Sequence, residues 1–545
     1  MSTKPVAGKS AAPARGARTR LSATRRVLRD VFLHLEVSFD RIFGARNNPF
    51  HHLGALGYFF YWIVAVTGIY LYILFDTSLA GAYSSIEHLT HAQWYLGGVM
   101  RSLHRYASDA LVVVMVLHMA REFALDRYHG MRWFAWFTGV PILWLVSAAG
   151  IGGYWLVWDR LAQYIAVMTM EWLDWLPIFG ESLARNFLTV GSLGDRFFSL
   201  LVFLHIGVPL FLLFAMWIHL MRIARADVNP PRALAAGTML TLLAVSLAKP
   251  ALSQGPADLS TVVASVGLDW FYLALYPLFD LWSAGWIWLL VAGATLLIAI
   301  MPWLPRRRDP PPAVVDLANC NGCARCFADC PYGAVIMQPR SDGRPFEREA
   351  MVNAALCTAC GICAGACPTS TPFRRASDLV PGIDLVDLPL RELRARIHAL
   401  APGLKESAGG GPRVLVFGCD AGVPLGATRS AGVAALSLPC VAMLPPSFID
   451  YVLHRGVADG VMLAGCAEGA CFHRLGIDWT EARLARTRDP YLRARVPRER
   501  IALCWAGAIG EKRLAAELAA FRERLAALDA GDGDDGATEA LRRHG

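Results

Sequence analysis

Four histidines fall into two pairs with one spacing: His104 and His118, then His205 and His219, each pair 14 residues apart in an apolar stretch. Fourteen residues is close to four helical turns, so both members of a pair share one helix face and stand roughly 21 Å apart along the axis. Two such helices side by side offer two bis-imidazole sites stacked across a bilayer, the arrangement of a haem ladder. An imidazole on each side of the iron leaves no open position for oxygen, so such haems pass electrons rather than bind a gas. A lone histidine in an apolar helix is more often a hydrogen-bonded structural residue; the repeated spacing argues for ligands. Gly54 and Gly68, and Gly139 and Gly153, repeat the 14-residue gap. Glycine lets a backbone approach closely, as a flat macrocycle between helices requires; plain helix–helix packing is the alternative. Arg101 and Arg121 lie three residues from the nearest histidine, placed to meet haem propionates or to serve as ordinary interfacial arginines.

All 13 cysteines lie between Cys320 and Cys504. Cys320-x-x-Cys323-x-x-Cys326-x-x-x-Cys330-Pro331 recurs as Cys357-x-x-Cys360-x-x-Cys363-x-x-x-Cys367-Pro368. This is the two-cluster ferredoxin spacing, in which each fourth cysteine serves the other cluster. One [4Fe–4S] is expected on Cys320, Cys323, Cys326 and Cys367, the second on Cys357, Cys360, Cys363 and Cys330. Zinc or disulfides are the alternatives. A further four, Cys419, Cys440, Cys466 and Cys471, lie in a segment of alternating strand-like and helix-like runs, and Cys419 and Cys466 each follow a strand-like run. Strand ends are where sites form in an α/β sheet, so these four could hold a [2Fe–2S] cluster, with zinc as the alternative. Cys504 is left as a buried apolar thiol.

The elements that must position these groups follow from composition. The chain has 545 residues, 55% of them hydrophobic and 18% charged, and a mean hydropathy of +0.39. The apolarity is concentrated before residue 306, so a mostly α membrane protein with six spanning helices is expected: 53–74, 107–123, 133–157, 197–221, 233–247 and 284–304. Eight Lys or Arg among the first 30 residues, against the single acid Asp30, form a cytoplasmic flank rather than a signal peptide. Further basic groups (Arg121, Arg127, Arg132; Arg222, Arg225, Arg232; Arg306, Arg307, Arg308) occupy alternate loops, while Asp76, Glu87, Glu171, Asp174 and Glu181 lie in the others. The positive-inside rule then puts both termini in the cytoplasm. The net charge of +8 is explained this way and not by nucleic acid. The expected domains are a basic segment at 1–44, a di-haem transmembrane domain at 45–308, a soluble α+β ferredoxin domain at 313–373, a linker at 374–411, a small α/β iron–sulfur domain at 412–528 and a tail at 529–545. With the second and fourth helices parallel, His104 and His205 share the outer haem, and His118 and His219 the inner one.

The first part resembles cytochrome b of the quinol–cytochrome c and quinol–plastocyanin oxidoreductases over about 45–305, through Gly98-x-x-Arg101-x-x-His104, Gly153-Tyr154, Trp158-Asp159 and Pro209. The resemblance implies a cytochrome b-like helical bundle with two haem b. Where that family has Pro-Glu-Trp-Tyr at its outer quinol site, this chain has Leu268-Asp269-Trp270-Phe271, which makes Asp269 the candidate quinone-site carboxylate. Phe60 stands where the plastocyanin branch needs a cysteine for its extra covalent haem. The segments Phe417-Gly-Cys419, Leu438-Pro-Cys440 and Gly465-Cys466 to Cys471 resemble the delta iron–sulfur subunit of methyl-viologen-reducing hydrogenase, which carries one [2Fe–2S] and links a hydrogenase or dehydrogenase to heterodisulfide reductase. That family has further cysteines near its first; residues 420–425 contain none.

Together these readings predict a multi-subunit quinone oxidoreductase in the bacterial inner membrane, exchanging electrons between a cytoplasmic redox complex and the quinone pool. The partner is heterodisulfide-reductase-like or a flavoprotein, and a homodimer is one arrangement allowed. Two alternatives stand beside it: a membrane anchor and docking adaptor for such a complex, and a bc-complex subunit with a fused ferredoxin arm.

Overall fold

The computed structural model describes residues 23–178, 182, 186, 188, 193–304, 310–375 and 379–532. The start of the basic segment, Glu181, Arg306, Arg307, Arg308, Asp309 and the tail from 533 lie outside the described residues.

The N-terminal half is helical. Helix α1 (Ala23–Phe43) is followed by α2 (Leu53–Leu74), α3 (Val99–Ala124), α4 (Trp133–Val157), α5 (Arg160–Asp174), α6 (Asp195–Leu220), α7 (Arg232–Ala248) and α8 (Ala284–Ile300). Among the described residues, four stretches are long and apolar enough to cross a bilayer: Pro49–Leu74, Gly130–Val157, Asp195–Leu220 and Ala284–Trp303. Reaching the expected six would require adding α3, which carries Arg101, Arg105, Asp109, Arg121 and Glu122, and α7, with 17 residues. The chain is a multi-pass membrane protein with a cytochrome b-like helical region.

Helix α3 begins eight residues before the expected 107, so His104 lies well inside it. Its polar first turns look like loop by hydropathy, but their side chains find partners within the protein. Arg101 donates to Thr90 and to Ser253 (2.8 Å), and Arg105 pairs with Asp109 (3.1 Å) and Asp269 (2.6 Å). A charged group in a membrane is tolerated when it is paired inside the bundle. Helix α3 packs chiefly on α2, and α6 on α4. The two histidine-bearing helices are thereby matched with the two glycine-bearing ones. Residues 249–283 contain no helix longer than the 3₁₀ turn Tyr276–Leu278. They are tied to the start of α5 by the Arg160 N–H to the Gly255 carbonyl (2.9 Å).

The C-terminal region is α/β, and none of its described helices is long and apolar enough to cross a membrane. Strands β1 (Val314–Val315) and β4 (Ile383–Asp384) pair antiparallel, as do β2 (Val335–Pro339) and β3 (Arg348–Val352). Two one-turn helices, α9 (Arg325–Asp329) and α10 (Ile362–Ala366), pack on one another. Beyond them, β5 (Val414–Cys419), β6 (Val433–Leu438), β7 (Gly460–Gly465) and β8 (Ile501–Trp505) form a parallel sheet in the order β6-β5-β7-β8. Val414 and Val416 face α13 (Glu511–Asp532), while Leu415 and Phe417 face α11 (Leu390–Ala408) and α12 (Pro446–His454). Burial on both faces explains why β5 is apolar throughout instead of alternating. The segment 374–411, expected as a linker, thus carries a helix that covers one face of the sheet through Leu393, Ile397 and Leu404.

Candidate redox centres

In the membrane region the imidazoles of His104 and His205 face each other with ring centroids 6.2 Å apart. That gap takes one metal ion with an imidazole on each side, a first-row metal–imidazole bond being about 2.0–2.1 Å. His104 Nδ1 donates to the Val64 carbonyl (3.0 Å), and His205 Nδ1 to the Ala149 carbonyl (3.0 Å). A carbonyl only accepts, so Nδ1 carries the proton and Nε2 is left as the free ligand atom. His219 Nδ1 lies 3.0 Å from Thr138 Oγ1, whose own proton goes to the Phe134 carbonyl (2.7 Å), so the imidazole is again the donor. Thr67 Oγ1 stands in the same way 3.1 Å from His104 Nδ1 and donates to the Ile63 carbonyl (2.6 Å). Thr67 and Thr138 precede Gly68 and Gly139, and the repeated Thr-Gly pair was a signal for them that the histidine spacing alone does not give.

The four glycines lie against the four imidazoles. A Cβ on Gly68 would sit 3.0 Å from His104 Cε1, and on Gly153 3.0 Å from His205 Cε1; on Gly54 and Gly139 it would sit 3.7 and 3.6 Å from His118 and His219. The donor set, the fixed tautomers and the side-chain-free cradle fit haem b. Of the two arginines expected beside propionates, Arg121 is paired with Glu36 (2.6 Å) and keeps a buried Nη2 without a hydrogen-bond partner, as an anionic group nearby would require. Arg101 is spent on Thr90 and Ser253. Glu36 comes from α1 and escaped sequence reading, because nothing local links it to Arg121.

Asp269 is held on both oxygens. One accepts from Arg105 Nη2 (2.6 Å) and the Tyr154 hydroxyl; the other accepts from the Phe271 N–H (2.7 Å). Arg105 also pairs with Asp109 and lies 4.3 Å from the centre of the Tyr154 ring. The sequence marked Asp269 alone; the structure adds Arg105, Asp109 and Tyr154.

The ferredoxin cysteines gather in the crossed pattern. Cys320, Cys323, Cys326 and Cys367 line one cavity, and Cys330, Cys357, Cys360 and Cys363 another. Among the described residues no three His, Cys, Asp or Glu side chains close on one point as a single ion requires. Cysteines ringing a cavity are what a multi-iron cluster needs. Burial pushes the Cys326 and Cys360 thiols up to about 12. Four such thiols ionise together only with a metal charge among them.

Cys419 ends β5, Cys440 follows β6 and Cys466 follows β7. These are the carboxyl ends of three adjacent parallel strands, at the point where the chain crosses from one side of β5 to the other. That is the usual ligand position of an open α/β sheet. Cys471 reaches in from the next loop. The Val441 N–H donates to Cys419 Sγ (3.2 Å). A Cβ on Gly476 would lie 2.5 Å from Cys440 Sγ and 3.3 Å from Cys471 Sγ, so glycine makes room for both thiols. Contact with the Cys419 thiol, together with burial, pushes Cys466 up to about 12. The set fits a [2Fe–2S] cluster by the same charge argument. Cys504 stays apart, buried on the other face of the sheet.

The family model for cytochrome b/b6/petB matches residues 40–227, that for the 4Fe-4S dicluster domain matches 319–371, and that for the methyl-viologen-reducing hydrogenase delta subunit matches 413–529. Cytochrome b6 of Auxenochlorella protothecoides and that of Porphyra purpurea are each 27% identical to it over 188 residues, 34% of this chain and 86% of theirs. Among solved structures, a chain of a hyperthermophilic respiratory Complex III aligns with a TM-score of 0.40 and 19% identity, covering 46% of this chain and 74% of that one. The protein is a redox protein of the membrane. It joins a cytochrome b domain, a 4Fe-4S dicluster domain and a hydrogenase delta-subunit-like domain, in that order.

Proposed function

We propose that this chain is the membrane subunit of a quinone oxidoreductase, passing electrons between a cytoplasmic redox complex and the quinone pool. Two haem b, on His104/His205 and His118/His219, two [4Fe–4S] clusters and one [2Fe–2S] cluster form the path. Both termini and the iron–sulfur domains lie in the cytoplasm of a bacterium, and the spans number six. The observation that carries the reading is continuity. The Cys471 loop is hydrogen-bonded to the membrane domain through Arg127 (2.8 Å to the Ala470 carbonyl) and Arg132, just beyond the end of the helix that bears His118. Iron–sulfur centres of low potential make quinone reduction the downhill direction. The cofactors supply one-electron chemistry when bound; the chain fixes the imidazole tautomers and gathers the thiols into sets.

The engagement of Asp269 by Arg105 and Tyr154 bears on the outer site. Both of the Asp269 carboxylate oxygens are already engaged, one by Arg105 and Tyr154 and the other by the Phe271 N–H, which favours quinone chemistry on the inner side and weighs against a bc-type subunit. The test is His118→Ala in the holoprotein. We expect the inner haem signal to vanish, the outer haem and iron–sulfur signals to remain, and quinone reduction to fall to background. Unchanged quinone turnover without the inner haem would contradict the route, and a wild-type protein with no quinone turnover would favour the adaptor.

A further inference from the structure

The three sets of cysteines are packed in a row whose two ends differ. Cys323, in the first ferredoxin set, is the one exposed cysteine among the described residues. Cys326 of the first set and Cys363 of the second belong to one buried cluster. The second set meets the C-terminal domain at two glycines. A Cβ on Gly361 would lie 2.6 Å from Met443 Cγ, and one on Gly365 would lie 2.1 Å from the Ala442 carbonyl oxygen. These glycines sit inside the second ferredoxin motif, and residues 441–443 directly follow Cys440. Cys360, Cys419, Cys440 and Cys466 belong to one continuous buried cluster. Arg483, 1% exposed, clamps the junction through Asp329 (2.6 Å) and the Ala442 carbonyl (2.7 Å).

At the far end, the loop between Cys466 and Cys471 is pressed on the membrane domain. A Cβ on Gly469 would lie 3.1 Å from both the Ala45 carbonyl oxygen and His51 Cδ2. Arg132 spans this seam, donating to the Phe472 carbonyl and to the Tyr332 hydroxyl (3.1 Å) and lying 4.3 Å from the Phe472 ring centre. Arg474 returns the contact to the Arg225 carbonyl (2.7 Å). The C-terminal domain therefore touches both the ferredoxin pair and the membrane domain and presses its Cys466–Cys471 loop on the latter, though it comes last in the chain; the ferredoxin pair also reaches the membrane domain, at Tyr332 and Ala328.

Resting on the electron-transfer reading above, we propose that the Cys419/Cys440/Cys466/Cys471 centre is the last iron–sulfur relay before the inner haem, and that a soluble one-electron donor of low potential delivers at the Cys323 end. Each step moves one electron and breaks no bond. With the clusters and haems bound, the donor would be oxidised and its electron would pass by way of the centres held by the Cys323 set, the Cys360 set and the C-terminal set, each reduced and reoxidised in turn, to the haem held by His118 and His219. The opposite order, with the C-terminal domain as the outermost docking module, places its centre beside the donor and not beside the haem.

Two measurements on the holoprotein test the order. In the unaltered protein, the EPR signal of the reduced C-terminal centre should relax faster when the Cys360 cluster is reduced and again when the inner haem is ferric, with no direct effect of the Cys323 cluster. Relaxation governed by the Cys323 cluster, or insensitive to the inner haem, would overturn the proposal. In Cys440→Ala, with both ferredoxin clusters and both haems present by EPR and optical count, reduced methyl viologen should still reduce the ferredoxin clusters while haem reduction falls to the rate of the dye alone. Wild-type haem reduction in that variant would overturn it too. Loss of quinone turnover with the relaxation pattern intact would sink the quinone reading and leave the relay standing.

Discussion

The four glycines that face imidazoles in the membrane region do not leave equal room. The hypothetical Cβ distances of 3.0 Å at Gly68 and Gly153 are tight, whereas 3.7 and 3.6 Å at Gly54 and Gly139 are ordinary contact. Overpacking a rigid site forces neighbours off their rotamers. Gly68→Ala and Gly153→Ala should therefore shift or lose the outer haem signal, while Gly54→Ala and Gly139→Ala leave the inner one intact. Haem-to-protein ratio and the EPR g-values of each haem check this, and equal effects at all four positions would refute it. The ligand residues were legible because their spacing is a local property of one helix or one turn. Thr67 and Thr138 are marked only by the repeated Thr-Gly pair, and Glu36 by nothing local, since each acts across a helix–helix contact that spacing along a single segment does not reveal. Asp269 was found in sequence as a carboxylate; its commitment to Arg105 depends on 164 residues of separation.

At the scale of elements, hydropathy located the apolar helices but misjudged polar ends. Helix α3 starts early because Arg101 and Arg105 find their partners in loops distant in sequence. Helix α11 falls in the segment that composition marks as a linker, although Leu390, Leu393, Ile397 and Leu404 recur at helical spacing; the sheet face they cover lies elsewhere in the sequence. Basic residues such as Arg127 and Arg132 signal orientation by their charge, yet they also hold the iron–sulfur domain by its carbonyls. The junction of ferredoxin and C-terminal domains rests on Arg483 and Asp329, 1% and 3% exposed. Removing one partner of a buried ion pair costs about 3–5 kcal/mol. Arg483→Met should lower the unfolding midpoint of the iron–sulfur region and leave the haem spectra unchanged. An unaltered midpoint would show that the pair does not hold the domains together.

For the whole molecule, the fold separates into a helical part whose haem cradles are made by packed glycines and an α/β part whose thiols need metal charge to sit together. Metal binding that neutralises such thiols is also folding free energy. Removing iron with a chelator under reducing conditions should therefore unfold the region from 313 to 375 first, seen as protease cleavage there, while the helical circular-dichroism signal of the membrane domain persists. Loss of both together would mean the two parts are a single cooperative unit.

The central claim is that electrons entering the iron–sulfur domains leave through the haems to quinone. The direct measurement is anaerobic stopped-flow spectroscopy of the unaltered holoprotein in lipid, reduced from the cytoplasmic side and then mixed with a quinone. The account predicts that both iron–sulfur and haem signals become reduced and that quinone reoxidises the haems, with the clusters following. Clusters that are reduced while the haems stay oxidised, with quinone present, would contradict it.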